Sequence, residues 1–114
     1  MATRRQERIN HRIVQEVCSA LRKVKDPRIG FVTVTGAEIS PDLHNARVFL
    51  SVFGDEKKQE ETLAAITHAS GFLRHELGIN MPMKVTPRLQ FELDLSVQRA
   101  DEMNRLISEA RASD

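Results

Sequence analysis

One glycine limits what this chain can fold into. The stretch Ala69-Ser70-Gly71 interrupts a helical pattern carried by Leu63 and Ile66 on one side and by Leu73 and Leu77 on the other. Glycine costs a helix interior about 1 kcal/mol relative to alanine, and Gly/Ser pairs are common sites of sharp kinks. Gly71 is therefore either a tolerated defect or a hinge between two short helices. The elements around it decide which.

Upstream, Ile9, Ile13, Val17, Leu21 and Val24 recur every three or four residues and predict a helix over residues 5–24. Val14, Cys18 and Ala20 broaden its apolar stripe. Asp26-Pro27 ends it, because the residue before a proline is pushed out of the helical region. Residues 29–39 are rich in β-branched side chains and read as a strand. Ser40-Pro41-Asp42 is a turn signal. A second strand spans residues 43–53, where Ala46, Val48, Leu50 and Val52 alternate with Asn45, Arg47, Phe49 and Ser51, so one face is the core face. The two strands form an antiparallel hairpin in this reading.

Downstream, the charged run 56–61 opens a second helix that reaches the Ala69-Ser70-Gly71 kink. A short helix over 72–77 follows, with Gly78 as its expected C-terminal cap. Residues 79–87 form a loop with two prolines. Leu89, Phe91 and Leu93 then alternate with polar neighbours and mark a third strand buried on one side. Ser96 is the expected N-cap of a last helix carrying Val97, Ala100, Met103, Leu106, Ile107 and Ala110. The order is α-β-β-α-kink-α-β-α, an α+β fold with a three-stranded sheet covered by helices. A ferredoxin-like arrangement needs four strands, with one before the first crossover helix. The α-β-β-α-α-β order with a glycine between the paired helices instead resembles the K-homology domain of the type common in bacteria, the type II K-homology-like fold.

A length of 114 residues suits one domain over residues 1–114. No apolar run approaches the roughly 18 residues of a bilayer span, and the charged N-terminus has no apolar stretch behind it, unlike a secretory signal. Cys18 is the only cysteine, so no intrachain disulfide framework exists. Its helical spacing from Val14, Val17 and Leu21 predicts a buried small hydrophobe. The net charge of +1 conceals an uneven distribution: residues 1–28 hold eight Lys/Arg against three Asp/Glu. The segment around the kink is also basic, and the rest is acidic. Such asymmetry points to a polyanionic partner.

Four blocks carry a more specific likeness: Asp26-Pro-Arg-Ile-Gly-Phe-Val-Thr-Val-Thr35, Ser40-Pro-Asp-Leu43, Ala46-Arg-Val-Phe-Leu-Ser-Val52 and Ala69-Ser-Gly-Phe-Leu-Arg74, continued by Pro87-Arg-Leu-Gln-Phe91. In this order the chain resembles the ribosome-binding factor A family over residues 5–110. The resemblance implies a K-homology fold whose Gly-x-x-Gly loop is replaced by an Ala-x-Gly kink. It implies a cytoplasmic, non-enzymatic bacterial factor that binds the small ribosomal subunit and its rRNA near the neck and decoding region. Binding would come late in maturation and to free subunits rather than translating ribosomes, with members often needed for growth in the cold. A monomer is expected, with no cofactor and no membrane partner; ribosomal proteins and an assembly GTPase are further candidate partners. Relatives tend to carry several cations where the loop 78–84 here holds one, and an acidic residue where Arg88 stands.

The candidate RNA-binding residues fall in three groups. Arg4, Arg8 and Arg12, with Arg5 beside them, form a stripe at four-residue spacing. Like charges at that spacing slightly destabilise a helix, and cations oppose the dipole at its N-terminus, so folding gains little from them and a phosphate backbone would supply the counter-charge. Lys23, Lys25 and Arg28 cluster where the first helix ends, a place where cations are favourable in themselves. At the kink, Ser70 and Gly71 would let a nucleic-acid backbone approach closely, with Arg74 one turn further on and Lys84 and Arg88 before the third strand. Ala69 and Phe72 read as packing residues, Phe72 in the core. Phe31, Phe49 and Phe53 share one strand face, either open for stacking on bases or covered by the last helix. The histidines lack metal-ligand spacing, no Gly-rich nucleotide loop appears, and nothing supports catalysis. The competing reading is an adaptor that binds a ribosomal protein or assembly GTPase without touching RNA.

Overall fold

The computed structural model describes residues 2–96; the expected last helix, residues 97–110, lies outside them. Helix α1 (Arg4–Leu21) begins at a capping box: the Thr3 hydroxyl accepts from the Gln6 N–H, and the Gln6 side chain accepts from the Thr3 N–H. It ends three residues short of the expected Val24. The Lys23 and Val24 N–H groups bond back to Ala20 and Leu21 in a tightened last turn, and Asp26-Pro27 forbids a further one. Ile13, Val17, Ala20 and Leu21 are buried, but Cys18 is exposed. The expectation of a buried thiol was wrong because the buried line runs through 13, 17 and 21, and residue 18 sits about 100° round the helix from it.

Strands β1 (Val32–Ile39) and β2 (Asn45–Val52) form the antiparallel hairpin, and β3 (Arg88–Leu93) lies parallel to β2 on its other side. β1 starts three residues later than expected: its paired register begins at Val32, and beyond it only the Phe31 carbonyl bonds across the hairpin, accepting from the Phe53 N–H. Its apolar spacing changes phase midway. Val32 and Val34 face the core, then a bulge between Val34 and Gly36 shifts the register so that Ala37 and Ile39 do. The turn between the strands holds Leu43 at φ 66°, a left-handed conformation unusual for a branched side chain.

Helices α2 (Glu56–His68) and α3 (Ser70–Asn80) pack with α1 on one face of the sheet. Between them they bury Ile13, Val17, Val48, Leu50, Ile66, Leu73, Leu77 and Phe91. The chain therefore has the α+β, K-homology-like order expected from its periodicity. The joint lies at Ala69 (φ −85°, ψ 5°), with Ser70 and Gly71 already inside α3. α3 also runs past Gly78, which is not a C-terminal cap. Pro82 stops the helix instead, and Met81 before it is extended at φ −131°, ψ 81°. Gly78 serves packing: a Cβ there would lie 2.9 Å from the Thr86 hydroxyl oxygen.

Candidate nucleic-acid interface

The N-terminal arginines stand on the first three turns of α1. Arg4, Arg5 and Arg8 are exposed and make no ion pair among the described residues. Arg12 differs. Its Nε donates to Glu16 at 3.1 Å and its Nη2 to the Asn80 carbonyl at 3.1 Å, so it ties α1 to the end of α3. Asn10 makes a second tie, its Oδ1 accepting from the Ile39 N–H at 2.7 Å. The stripe is thereby fixed to both α3 and the end of β1.

The second group is more occupied. Lys23 reaches across to Glu76 of α3 at 3.1 Å. Arg28 pairs with Asp26 at 2.8 Å, while the same carboxylate accepts from the Arg28 N–H in a turn around Pro27. The Arg28 hydrogen bonds hold the Asp26 carboxyl down at about 2, and the Asp26 carboxylate in turn pushes the Arg28 guanidinium up. The Arg28 carbonyl accepts from the Thr62 hydroxyl and from Lys58 Nζ, each at 3.2 Å. Thr62 is fully buried and satisfied there, an anchor the sequence reading missed; a hydroxyl in the apolar phase of α2 was the available signal. Lys25 is exposed and unpaired among the described residues.

At the joint, Gly71 is exposed and a Cβ on it would meet nothing within 4 Å. No side chain caps α3, so its first N–H groups have no side-chain acceptor. Ser70 beside it is half-buried. Arg74 uses its guanidinium internally: Nη2 donates to the Thr86 carbonyl at 2.7 Å, and Nε to the Thr86 and Pro87 carbonyls at 3.3 Å each. Gly71, Arg74, Gly78 and Thr86 line one shallow hollow. Phe72 is 41% exposed and not in the core, because Leu73 and Leu77 take the inward line of α3.

Lys84 lies apart from that hollow. The loop after α3 swings it to the N-terminal stripe, where it shares a groove with Arg5, Arg8 and Arg12. Arg88 opens β3, paired in register with Asn45 on the sheet face away from the helices. Further along that face Arg47 bridges Glu92 at 2.6 Å and Glu38 at 3.3 Å and lies 5.2 Å from the Phe49 ring centroid. Phe31 and Phe53 meet across the hairpin end, the Phe53 N–H donating to the Phe31 carbonyl, and are 85% and 82% exposed. Among the described residues no group of three or more His, Cys, Asp or Glu could hold a metal ion, and no helix is long and apolar enough to cross a membrane.

The structures similar to this chain show the same architecture. A solution structure of a Thermotoga maritima protein, assigned in its description as a candidate ribosome-binding factor A, superposes with a TM-score of 0.73 at 29% identity, covering 81% of this chain and 89% of that one. The crystal structure of ribosome-binding factor A from Thermus thermophilus gives 0.70 at 24% identity, covering 77% and 94%. In sequence, ribosome-binding factor A of Staphylococcus epidermidis is 39% identical over 96% of both chains. That of Moorella thermoacetica is 36% identical over 98% of this chain and 94% of its own. The family model described as ribosome-binding factor A matches residues 5–107, a span that takes in the arginine stripe from Arg5 onward, the hairpin, the helix joint and the third strand. With that span matched, and with relatives above 30% identity along nearly its full length, the chain belongs to the ribosome-binding factor A family.

Proposed function

We propose that this chain binds the free small ribosomal subunit late in its maturation and holds a conformation of its rRNA through phosphate contacts. One structural observation carries the reading. Arg4, Arg5 and Arg8 stand exposed on one helix end with no partner among the described residues, although three cations there work against the helix dipole. A polyanion relieves that repulsion and releases counterions as it does so. The family supports the choice of polyanion: a Thermus thermophilus ribosome-binding factor A has been fitted into a map of its complex with the 30S subunit. The protein acts in the cytoplasm as a single RNA-binding domain, a monomer without catalytic activity or cofactor, and its loss slows growth in the cold.

Co-sedimentation with purified free subunits at stepped salt concentrations tests this. Binding weakens steeply as salt rises, and assembled ribosomes compete poorly. Replacing Arg4, Arg5 and Arg8 by Gln lowers affinity and flattens the salt slope. Unchanged affinity and slope in that variant would remove these arginines from the interface. The adaptor reading has its own support in the exposed Phe31 and Phe53, an apolar pair suited to a protein partner. Phe31→Ser with Phe53→Ser separates the two: loss of subunit binding without any change in salt slope favours the adaptor.

A further inference from the structure

A groove of about 670 Å³ opens between the first turns of α1, the β1–β2 turn and the loop after α3. Neither Gly71 nor Arg74 lines it, so it is separate from the helix joint. Its floor includes Leu43, Met81 and Met83, and its rim includes Arg5, Arg8 and Lys84. The β1–β2 turn is held in place on two counts. Leu43 keeps a left-handed backbone at φ 66°, and the Asp42 carboxylate accepts from the Ser40 hydroxyl at 2.5 Å and the His44 N–H at 3.1 Å.

An apolar floor under a cationic rim suits a ligand with a flat apolar face and an anionic edge. We infer that the groove takes one unpaired nucleotide of single-stranded RNA, its base against Met83 and Leu43 and its flanking phosphates on Arg5, Arg8 and Lys84. The inference rests on the RNA-binding reading above and gives it a site. Thioether sulfur makes favourable contacts with aromatic faces, and a groove of this size is in the range that encloses small ligands. Arg5 and Arg8 are separated by about 4.5 Å along the helix axis, so two cations flank one docking position. Asp42 on the same rim repels carboxylate and phosphate alike, so it favours a ligand that also presents hydrogen-bond donors, which the side chains of an acidic peptide lack. A nucleotide instead offers it donors, the exocyclic amines and the ribose 2′-hydroxyl. A duplex cannot fill the floor, since its bases are stacked and paired.

Methionine methyl groups labelled with ¹³C report directly on the floor, with the Met83 signal assigned through Met83→Leu. Addition of a single-stranded RNA pentamer shifts the Met83 methyl upfield by the base ring current; a blunt RNA duplex and inorganic tripolyphosphate do not. Met83→Glu lowers affinity for the pentamer at least tenfold and leaves duplex affinity unchanged. The same shift with tripolyphosphate, or a larger one with a polyglutamate peptide, would overturn the nucleotide assignment. So would an unshifted methyl in protein that still co-sediments with subunits in a salt-dependent way, an outcome that leaves the RNA reading intact. Conversely, a shifted methyl in protein that fails to co-sediment keeps the groove and sinks the subunit reading.

Discussion

The two ends of α1 carry similar charge and use it differently. At the N-terminal end Arg4, Arg5 and Arg8 are exposed and unpaired among the described residues, where the helix dipole disfavours them. Past the C-terminal end Lys23 and Arg28 each have a carboxylate, and on α3 Arg74 is spent on backbone carbonyls. Sequence alone separates these only by their place along the helices and does not say which of them are paired. The contrast teaches that a cation with an internal partner has a folding role that accounts for it. Binding is the better explanation where no such partner exists.

The sharpest way to break that contrast is to neutralise each set. Arg4, Arg5 and Arg8 changed together to Gln should lower affinity for free small subunits by about 10- to 100-fold at moderate salt. The slope of log affinity against log salt should shrink by roughly 2 to 3, since each lost phosphate contact removes about 0.7–0.9. Thermal stability should not fall, because like charges at helical spacing are being removed. A stability loss comparable to the binding loss would mean that the stripe has a folding role after all.

Arg74→Ala should show the reverse. It removes the hydrogen bonds to the Thr86 and Pro87 carbonyls, and bonds to a charged donor on an exposed helix face are worth about 1–2 kcal/mol here. The unfolding free energy should fall by that amount, read as a lower urea midpoint at unchanged m value. Affinity for subunits, measured well below the midpoint, should change less than threefold. A variant with full stability and lost binding would return Arg74 to the interface.

The two glycines of α3 sharpen the comparison at a smaller scale. Nothing lies within 4 Å of a Cβ at Gly71, whereas one at Gly78 would press on the Thr86 hydroxyl at 2.9 Å. Gly71→Ala should therefore raise stability by about 0.5–1 kcal/mol through helix propensity, while Gly78→Ala lowers it by about 1 kcal/mol through crowding. Denaturant midpoints decide both. If Gly71→Ala also weakens subunit binding, the open backbone at the joint is used by the ligand, since folding does not require it.

Much of this architecture could be read from spacing. The alternation Ala46, Val48, Leu50, Val52 marked the core face of β2, and the joint between α2 and α3 fell at Ala69, two residues before the glycine that announced it. Other features depend on contacts between distant segments. Gly78 looks like a helix stop until Thr86 is seen against it and Pro82 is seen to end the helix. Cys18 sits at a plausible spacing but on the wrong side of a line fixed by β1 and α3. The bulge in β1 was not read from the sequence, although Val32, Val34, Ala37 and Ile39 break their period of two beside Gly36. Of the site, the unpaired arginines were legible as charge. Nothing in the sequence separation of 76 residues between Arg8 and Lys84 says that they share a groove.

The smallest expected effect tests the paired side of the contrast through pH. Asp26 has its carboxyl held at about 2 by Arg28, below the ordinary aspartate value near 3.9 of an unfolded chain. A group lowered on folding adds stability that is present above about pH 4 and is lost as pH falls toward its folded value. Both side chains are solvent-exposed to a degree, so screening keeps the contribution small. Asp42 and Asp94 are lowered too, by hydrogen bonds from Ser40 and Ser96 respectively, so the acid response of the wild type alone does not isolate Asp26. The isolating measurement is therefore a difference. Wild type and Asp26→Asn are unfolded by urea at steps between pH 5 and pH 2, and the gap between their midpoints is followed. The gap should favour wild type at pH 5 and narrow as pH falls, because the ion pair exists only while Asp26 is charged. At pH 5, 0.5 M salt should narrow it as well. A gap that stays constant with pH would leave the turn to the Arg28 N–H and Pro27 alone, and would make Arg28 a free cation of the same kind as Arg4, Arg5 and Arg8.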